Sequence, residues 1–227
     1  MSGAGDGRPG GGSGKTRVKT ARRRTAGSTR WLQRQLNDPY VKAAKAQGYR
    51  SRAAFKLREL DEKHGLLSGK HRIVDLGAAP GGWTQVALER RPKSRIVGID
   101  LLEMEPIEGA ELLVMDFTDD AAPAALNAAL GGAPDLVMSD MAANTIGHRQ
   151  TDHLRTMALV EMAAHFATEE LAPGGAFVAK VLAGGADAAL VADLKRNFTT
   201  VKHSKPPASR KGSSEWYVVA TSFRGER

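Results

Sequence analysis

The chain has 227 residues, 41% of them hydrophobic and 26% charged, with a formal net charge of +8 and no cysteine. That length suits one large domain, or one domain with an extension, and allows a sizeable core. The lack of cysteine excludes disulfides, thiolate metal sites and a cysteine nucleophile, no apolar run approaches the roughly 20 residues of a membrane span, and the N-terminus carries no secretory apolar segment, so a cytoplasmic protein with no membrane and no metal partner is expected.

The charge is divided unevenly along the chain: +7 over residues 1–30, +6 over 31–58, −9 over 59–200 and +4 over 201–227. Basic ends around an acidic middle predict a polyanion held from both sides, because lysine and arginine displace the counterions condensed on phosphates. Residues 1–29 are Gly, Ser, Arg and Lys with almost nothing apolar, a composition that predicts a disordered basic tail. An Arg-rich, acid-poor start also occurs in mitochondrial transit peptides, but the glycines and the missing apolar face argue against one. Residues 30–227 read as a single domain, opening with a basic helical segment over 30–64 and continuing as an α/β core over 65–227.

Within the basic segment, Trp31, Leu32, Gln35 and Leu36 predict a short helix, and residues 51–64 a second one, with Ala54, Leu57 and Leu60 at helical spacing. Lys42, Lys45, Arg50 and Arg52 are placed between the two. After Gly65, short apolar runs at 73–76, 96–99, 112–114, 136–138 and 177–181 predict strands, and stretches at 83–89, 121–130, 154–171 and 186–197 predict helices. Such alternation marks βαβ units and a mainly parallel sheet with helices on both faces. The last two runs, 200–203 and 215–221, are joined by a loop with no helix, which predicts an antiparallel pair at one edge.

The first strand runs into Asp75-Leu76-Gly77-Ala78-Ala79-Pro80-Gly81-Gly82-Trp83 and then directly into a helix. Glycines there let the backbone turn tightly and approach a ligand, and a helix start offers free N–H groups. The spacing is not G-x-G-x-x-G, and Pro80 sits inside the turn, so a nicotinamide dinucleotide fits poorly. Asp100 ends the second strand, 23 residues after Gly77, where an acid can accept from both hydroxyls of a ribose. Asp116 follows the third strand, where it could accept from an adenine amino group. Together the three elements outline an adenosine pocket at the carboxyl ends of the strands.

S-R-A-A-F-K-L, D-L-G-A-A-P-G-G-W, D-L-L-E-M-E-P-I, M-D-F, V-M-S-D-M-A and the late S-E-W-Y-V-V-A closely resemble the FtsJ-type ribosomal RNA large-subunit 2′-O-methyltransferases, over about residues 37–223. The resemblance implies a Rossmann-like methyltransferase fold with a mainly parallel seven-stranded sheet. It implies S-adenosylmethionine as cofactor, with Gly81, Trp83, Asp100, Asp116 and Asp140 as its contacts. It further implies that a uridine in the A-loop of 23S ribosomal RNA is the target, in the 50S subunit or its precursor. Two places depart from the family pattern: Ala143, where M-A-P-N is usual, and Leu182-Ala183-Gly184, where an aromatic and a glutamine are common.

Methylating a ribose hydroxyl requires a positioned base, because the hydroxyl must lose its proton as it attacks. Asp140 ends the fourth strand and Lys180 lies near the end of the fifth, so adjacent parallel strands put both at one rim. Glu215 opens the final strand, whose start reaches that rim if it runs antiparallel, and Lys56 comes from the basic helix over the opening. This set matches the Lys-Asp-Lys-Glu tetrad of the resembled family, with Lys180 as general base, Lys56 as the cation that frees it, Asp140 as its guide and Glu215 as the group that orients Lys56 or the ribose. An unperturbed lysine, with a pKa of about 10.4, is charged at neutral pH, so such a base needs a neighbouring cation or burial. Lys42, Lys45, Arg50, Arg52 and Arg58 on one side, and Lys202, Lys205, Arg210 and Lys211 on the other, are read as phosphate contacts that position RNA without reading its sequence. A monomer is expected. The alternatives left open are a transfer-RNA or mitochondrial ribosomal-RNA 2′-O-methyltransferase, and a catalytically silent ribosome-assembly factor.

Overall fold

The computed structural model describes residues 25–143, 147–182 and 188–225. Among the described residues three helices come first: α1 (Ala26–Asn37), α2 (Pro39–Ala46) and α3 (Ala53–His64). They are followed by β1 (Arg72–Leu76), α4 (Gly82–Arg90), β2 (Arg95–Asp100), β3 (Ala110–Val114), α5 (Ala122–Leu130) and β4 (Leu136–Ser139). The remainder is α6 (Arg149–Glu170), β5 (Ala176–Leu182), α7 (Ala188–Asn197), β6 (Phe198–Ser204) and β7 (Glu215–Phe223).

The seven strands form one sheet in the order β3-β2-β1-β4-β5-β7-β6. The first five are parallel, while β7 runs antiparallel to both β5 and β6, as the missing helix between the last two apolar runs predicts. β1, β2, β4 and β5 are buried on both faces, and the two faces bury separate clusters. On one side Leu57 and Leu60 of α3, Trp83 and Val86 of α4 pack on Ile73, Met138, Val178 and Tyr217. On the other, Leu126 of α5, Phe166 of α6 and Leu194 of α7 pack on Val74, Val137, Phe177 and Val218. Burying each such side chain contributes about 1.5–3 kcal/mol, which makes the sheet a rigid frame for whatever projects from its rim. β1 is flanked by β2 on one side and β4 on the other, so the chain reverses its direction of travel across the sheet there, the place where open α/β sheets bind ligands.

All seven strands lie where the apolar runs place them, but the N-terminal part differs. Residues 38–50, read as a basic connection, contain α2: Asp38 caps it by accepting from the Tyr40 amide at 3.0 Å, and Pro39 stands in its first turn. The first helix starts at Ala26, inside the stretch assigned to the tail, because the Thr25 hydroxyl caps it by accepting from the Ser28 amide at 3.2 Å. Residues 1–24 of that tail lie outside the described residues. The long helix α6 begins five residues ahead of expectation, at Arg149, with the His148 ring accepting from the Thr151 amide.

Candidate functional site: a cofactor cavity and a lysine–carboxylate rim

Gly77 and Gly81 shape the turn between β1 and α4. Gly77 has φ of 75°, and a Cβ on it would stand 2.7 Å from Met141 Cγ; Gly81 has φ of 108°, and a Cβ there would meet Ile107 Cδ1 at 2.6 Å. Gly77 therefore excludes a side chain by backbone angle and by space, and Gly81 by backbone angle. The amides of Gly77 and Ala78 donate to the Ile99 carbonyl, which holds the turn against the end of β2.

Asp100 fastens the same turn from below. One of its oxygens accepts from the Ala79 amide at 3.0 Å and the other from the Leu102 amide at 2.9 Å. Asp116 accepts from the amide and hydroxyl of Thr118, and these two bonds hold its carboxyl below the usual carboxylate range. Both acids line a cavity of about 520 Å³ whose walls include Gly77, Ala79, Ile99, Met115, Phe117 and Asp140. Arg155 and Leu159, one turn apart on α6, close the far side, a contribution the motifs gave no sign of. Apolar walls with acceptors at Asp100 and Asp116 suit a nucleoside's ring and hydroxyls. The acceptors of Asp100 and Asp116 suit a nucleoside with a cationic group better than a pyrophosphate. Ala143 is part of this lining, so its departure from the family pattern falls beside the ligand.

Gly81 and Trp83 are placed differently from Asp100 and Asp116. Gly81 caps α4 beneath Arg50 and Ile107. The Trp83 indole is buried in the joint with α3, donating to the Ala53 carbonyl at 2.9 Å and packing on Tyr217 at 5.7 Å between ring centroids. Neither side chain lines the cavity; what these two positions offer a ligand is main chain in the first turn of α4.

At the rim beside the cavity the four expected groups converge. Lys180 Nζ donates to the Asp140 carbonyl at 2.6 Å and pairs with its Oδ1 at 3.2 Å. Lys56 Nζ lies 3.9 Å from Asp140 Oδ2 and 3.2 Å from Glu215 Oε2. Both lysines are 7% exposed, so their charges are compensated by these carboxylates rather than by bulk water. A fifth residue belongs here that the spacing did not single out. Tyr217, fully buried, donates its hydroxyl to Asp140 Oδ1 at 2.8 Å and lies under Lys56, whose Nζ is 5.9 Å from the ring centroid. Burial pushes the Asp140 carboxyl up, but Lys180, Lys56 and the Tyr217 hydroxyl outweigh it and hold the group below the usual range. The same carboxylate, with burial as the larger cause, pushes the Tyr217 hydroxyl well up and keeps it a donor.

One more acid lies beneath the rim. Asp75 is wholly buried; Thr84 donates its hydroxyl to Oδ2 at 2.7 Å, while Oδ1 finds no partner. Burial, helped by the charges of Asp140 and Asp100 against the Thr84 bond, pushes its carboxyl up to about 7.

The basic residues expected on RNA divide into two groups. Lys42 and Lys45 on α2, Lys202 on β6 and Lys211 in the loop before β7 are exposed. The others are engaged within the chain. Arg50 donates to the carbonyls of Glu105 at 2.6 Å, Pro106 at 2.8 Å and Pro80 at 3.4 Å, binding the segment after β2 to the glycine turn. Arg52 donates to Asp38 and to the Ala208 carbonyl, and Arg210 reaches the same Asp38 oxygen at 3.3 Å. Lys205 donates to the Ser213 carbonyl at 2.7 Å. Residues 144–146 and 183–187, including Ala183 and Gly184, lie outside the described residues. Among the described residues no group of three or more His, Cys, Asp or Glu is arranged to hold a metal, and no helix is long and apolar enough to cross a membrane.

The chain is similar in sequence and in fold to ribosomal RNA methyltransferases. The chain is 70% identical over 209 residues to ribosomal RNA large subunit methyltransferase E of Novosphingobium aromaticivorans, covering 92% of this chain and 94% of the relative. It is 72% identical to the protein of that name from Erythrobacter litoralis, covering 92% and 95%. A solved Plasmodium falciparum structure, described as a ribosomal RNA methyltransferase, superposes with a TM-score of 0.69 at 33% identity, covering 78% of this chain and 100% of that one. The fibrillarin/Nop5p complex, at 18% identity, a TM-score of 0.52, and coverage of 75% and 83%, shares the fold alone. The FtsJ-like methyltransferase family model matches residues 49–223, and the chain belongs to that family.

Proposed function

We propose that the protein transfers a methyl group from S-adenosylmethionine to the ribose 2′-hydroxyl of a uridine in the A-loop of 23S ribosomal RNA, within the 50S subunit or its precursor, as a cytoplasmic monomer. One observation carries this reading: Lys180, Asp140, Lys56 and Glu215 form a continuous chain of ion pairs at a rim beside the cavity lined by Asp100 and Asp116. The relatives named ribosomal RNA large subunit methyltransferase E supply the substrate class.

S-adenosylmethionine supplies a methyl group on a sulfonium; Asp100, Asp116 and the main chain at Gly77 and Ala79 would hold its nucleoside, and the carboxylates suit its positive charge. The reaction left to the protein is removal of a proton from a weakly acidic hydroxyl. Lys180 Nζ, entering the step as the uncharged amine beside the positive charge kept on Lys56, accepts that proton as the 2′-oxygen attacks. Asp140, fixed through its main-chain carbonyl and Oδ1, aims Nζ at the rim and pairs with the ammonium that results. Lys56, tied to Glu215, keeps a positive charge on the other oxygen of the same carboxylate, next to where the alkoxide character develops. Lys42, Lys45 and Lys211 hold phosphates on the two sides of the opening.

The test is single-turnover methyl transfer to 50S particles from a strain lacking the enzyme, with cofactor affinity measured alongside. Lys180→Ala is expected to lower the rate about 10²–10⁴-fold with cofactor affinity nearly unchanged. Unchanged turnover removes Lys180 from the mechanism, and no transfer by the wild type favours the silent assembly factor. Ribose-methylation mapping of total RNA from that strain identifies the target, a loss in transfer RNA alone overturning the ribosomal assignment.

A further inference from the structure

Trp216 occupies an unusual place in β7. Its neighbours Glu215 and Tyr217 turn toward Lys56 and Asp140, and strand alternation sends Trp216 to the opposite face, beside Val181 of β5. There the indole is 38% exposed, although the strand positions that follow it, from Tyr217 to Ala220, are all buried. Lys205 Nζ stands 5.7 Å from the ring centroid, held by the Ser213 carbonyl at 2.7 Å. A partly exposed indole thus stands one residue from the catalytic rim, with a fixed cation over one face of the ring.

We infer that Trp216 and Lys205 form a nucleobase-stacking subsite for a nucleotide adjacent to the methylated one, an inference that rests on the RNA-methylating reading of the site. An indole stacks on any base through a π-face, and with Lys205 over one face the base takes the other, while the cation meets the neighbouring phosphate. The location matches the geometry of the reaction. A strand of RNA crossing the end of β7 puts its target ribose on the side of Lys180 and its next base on the side of Trp216. Splaying the two apart exposes the 2′-hydroxyl, and the stacking offsets the loss of base–base contact. Lys205 therefore serves RNA through the ring it flanks, not as an isolated phosphate contact.

Trp216→Ala is expected to raise the KM for 50S particles about tenfold, equivalent to about 1.4 kcal/mol, with kcat and cofactor affinity unchanged. Trp216→Phe should retain most of the affinity, since a flat ring remains, and thermal unfolding of both variants should match the wild type. A second measurement needs no methyl transfer. A single-stranded uridine-rich oligonucleotide should quench tryptophan fluorescence in the wild type, and Trp216→Phe should remove most of that quench. An unchanged KM in Trp216→Ala, or a quench that persists in Trp216→Phe, overturns the subsite. An equal fall in kcat and cofactor affinity in both variants overturns it in favour of a structural role. A wild type inactive on every RNA counts instead against the methylation reading, and the quench then decides the subsite by itself.

Discussion

Removing the Tyr217 hydroxyl tests the rim at a point where packing and charge can be separated. Tyr217→Phe keeps the ring that packs on Trp83 and lies under Lys56, and deletes only the donor 2.8 Å from Asp140 Oδ1. Hydrogen bonds to charged groups contribute about 1.5–3 kcal/mol, and at this chain length each kcal/mol moves Tm by about 2–4 °C, so a fall of about 3–12 °C is expected. The hydroxyl is also one of the groups holding the Asp140 carboxyl down against its burial. A depressed carboxyl contributes stability that is present above its unfolded pKa and lost as pH falls through the folded value. Without the hydroxyl the depression is smaller, so the variant gains less from raising the pH, and Asp140 loses its charge at a higher pH. The acid limb of the methyl-transfer rate should move up accordingly, with a loss of about tenfold near neutrality. Calorimetric unfolding and single-turnover rates across the acid range measure the two effects. A Tm within 1 °C of wild type together with an unmoved acid limb would refute the role assigned to Tyr217.

Two further perturbations address groups beneath and beside the cavity. The Asp75 carboxyl is raised from 3.8 to about 7, so the folded chain binds its proton more tightly than the unfolded one, and stability present below about pH 4 is lost as pH rises through 7. Asp75→Asn mimics the protonated acid and should abolish that loss, opening a gap of up to about 4 kcal/mol over wild type by neutral pH; parallel Tm–pH curves would contradict it. Arg50→Ala should release the Glu105–Pro106 carbonyls and weaken cofactor binding about tenfold by calorimetry, with a smaller effect on RNA affinity. The reverse pattern, RNA affinity lost and cofactor binding intact, would return Arg50 to the phosphate contacts that its sequence position implied.

The strands were readable from short apolar runs, and with them the convergence of Asp140, Lys180 and Glu215 at one rim. Asp140 and Lys180 sit at the ends of adjacent parallel strands, Glu215 starts the antiparallel neighbour, and that topology leaves their side chains one rim to share. Helix α2 escaped notice because it is two turns long. Its only local signals are Asp38 and Pro39, and its anchorage comes from burial of Ala44 and the pairing of Asp38 with Arg52. Trp83 stands at the right position in the cofactor motif, but a helix side chain tilts back toward the N-terminus and its indole fills the α3 joint instead. Composition was the weakest guide for the basic residues. Asp38, the single acid among residues 31–58, takes both Arg52, 14 positions away, and Arg210, 172 positions away. Block charges of +6 over residues 31–58 and +4 over 201–227 count those arginines as available to RNA, whereas the folded chain has already committed them to one buried carboxylate. Residues whose neighbours are set by sheet topology could thus be assigned from sequence. Surface cations could not, because a partner from a distant segment decides whether each one holds the protein together or remains for phosphate.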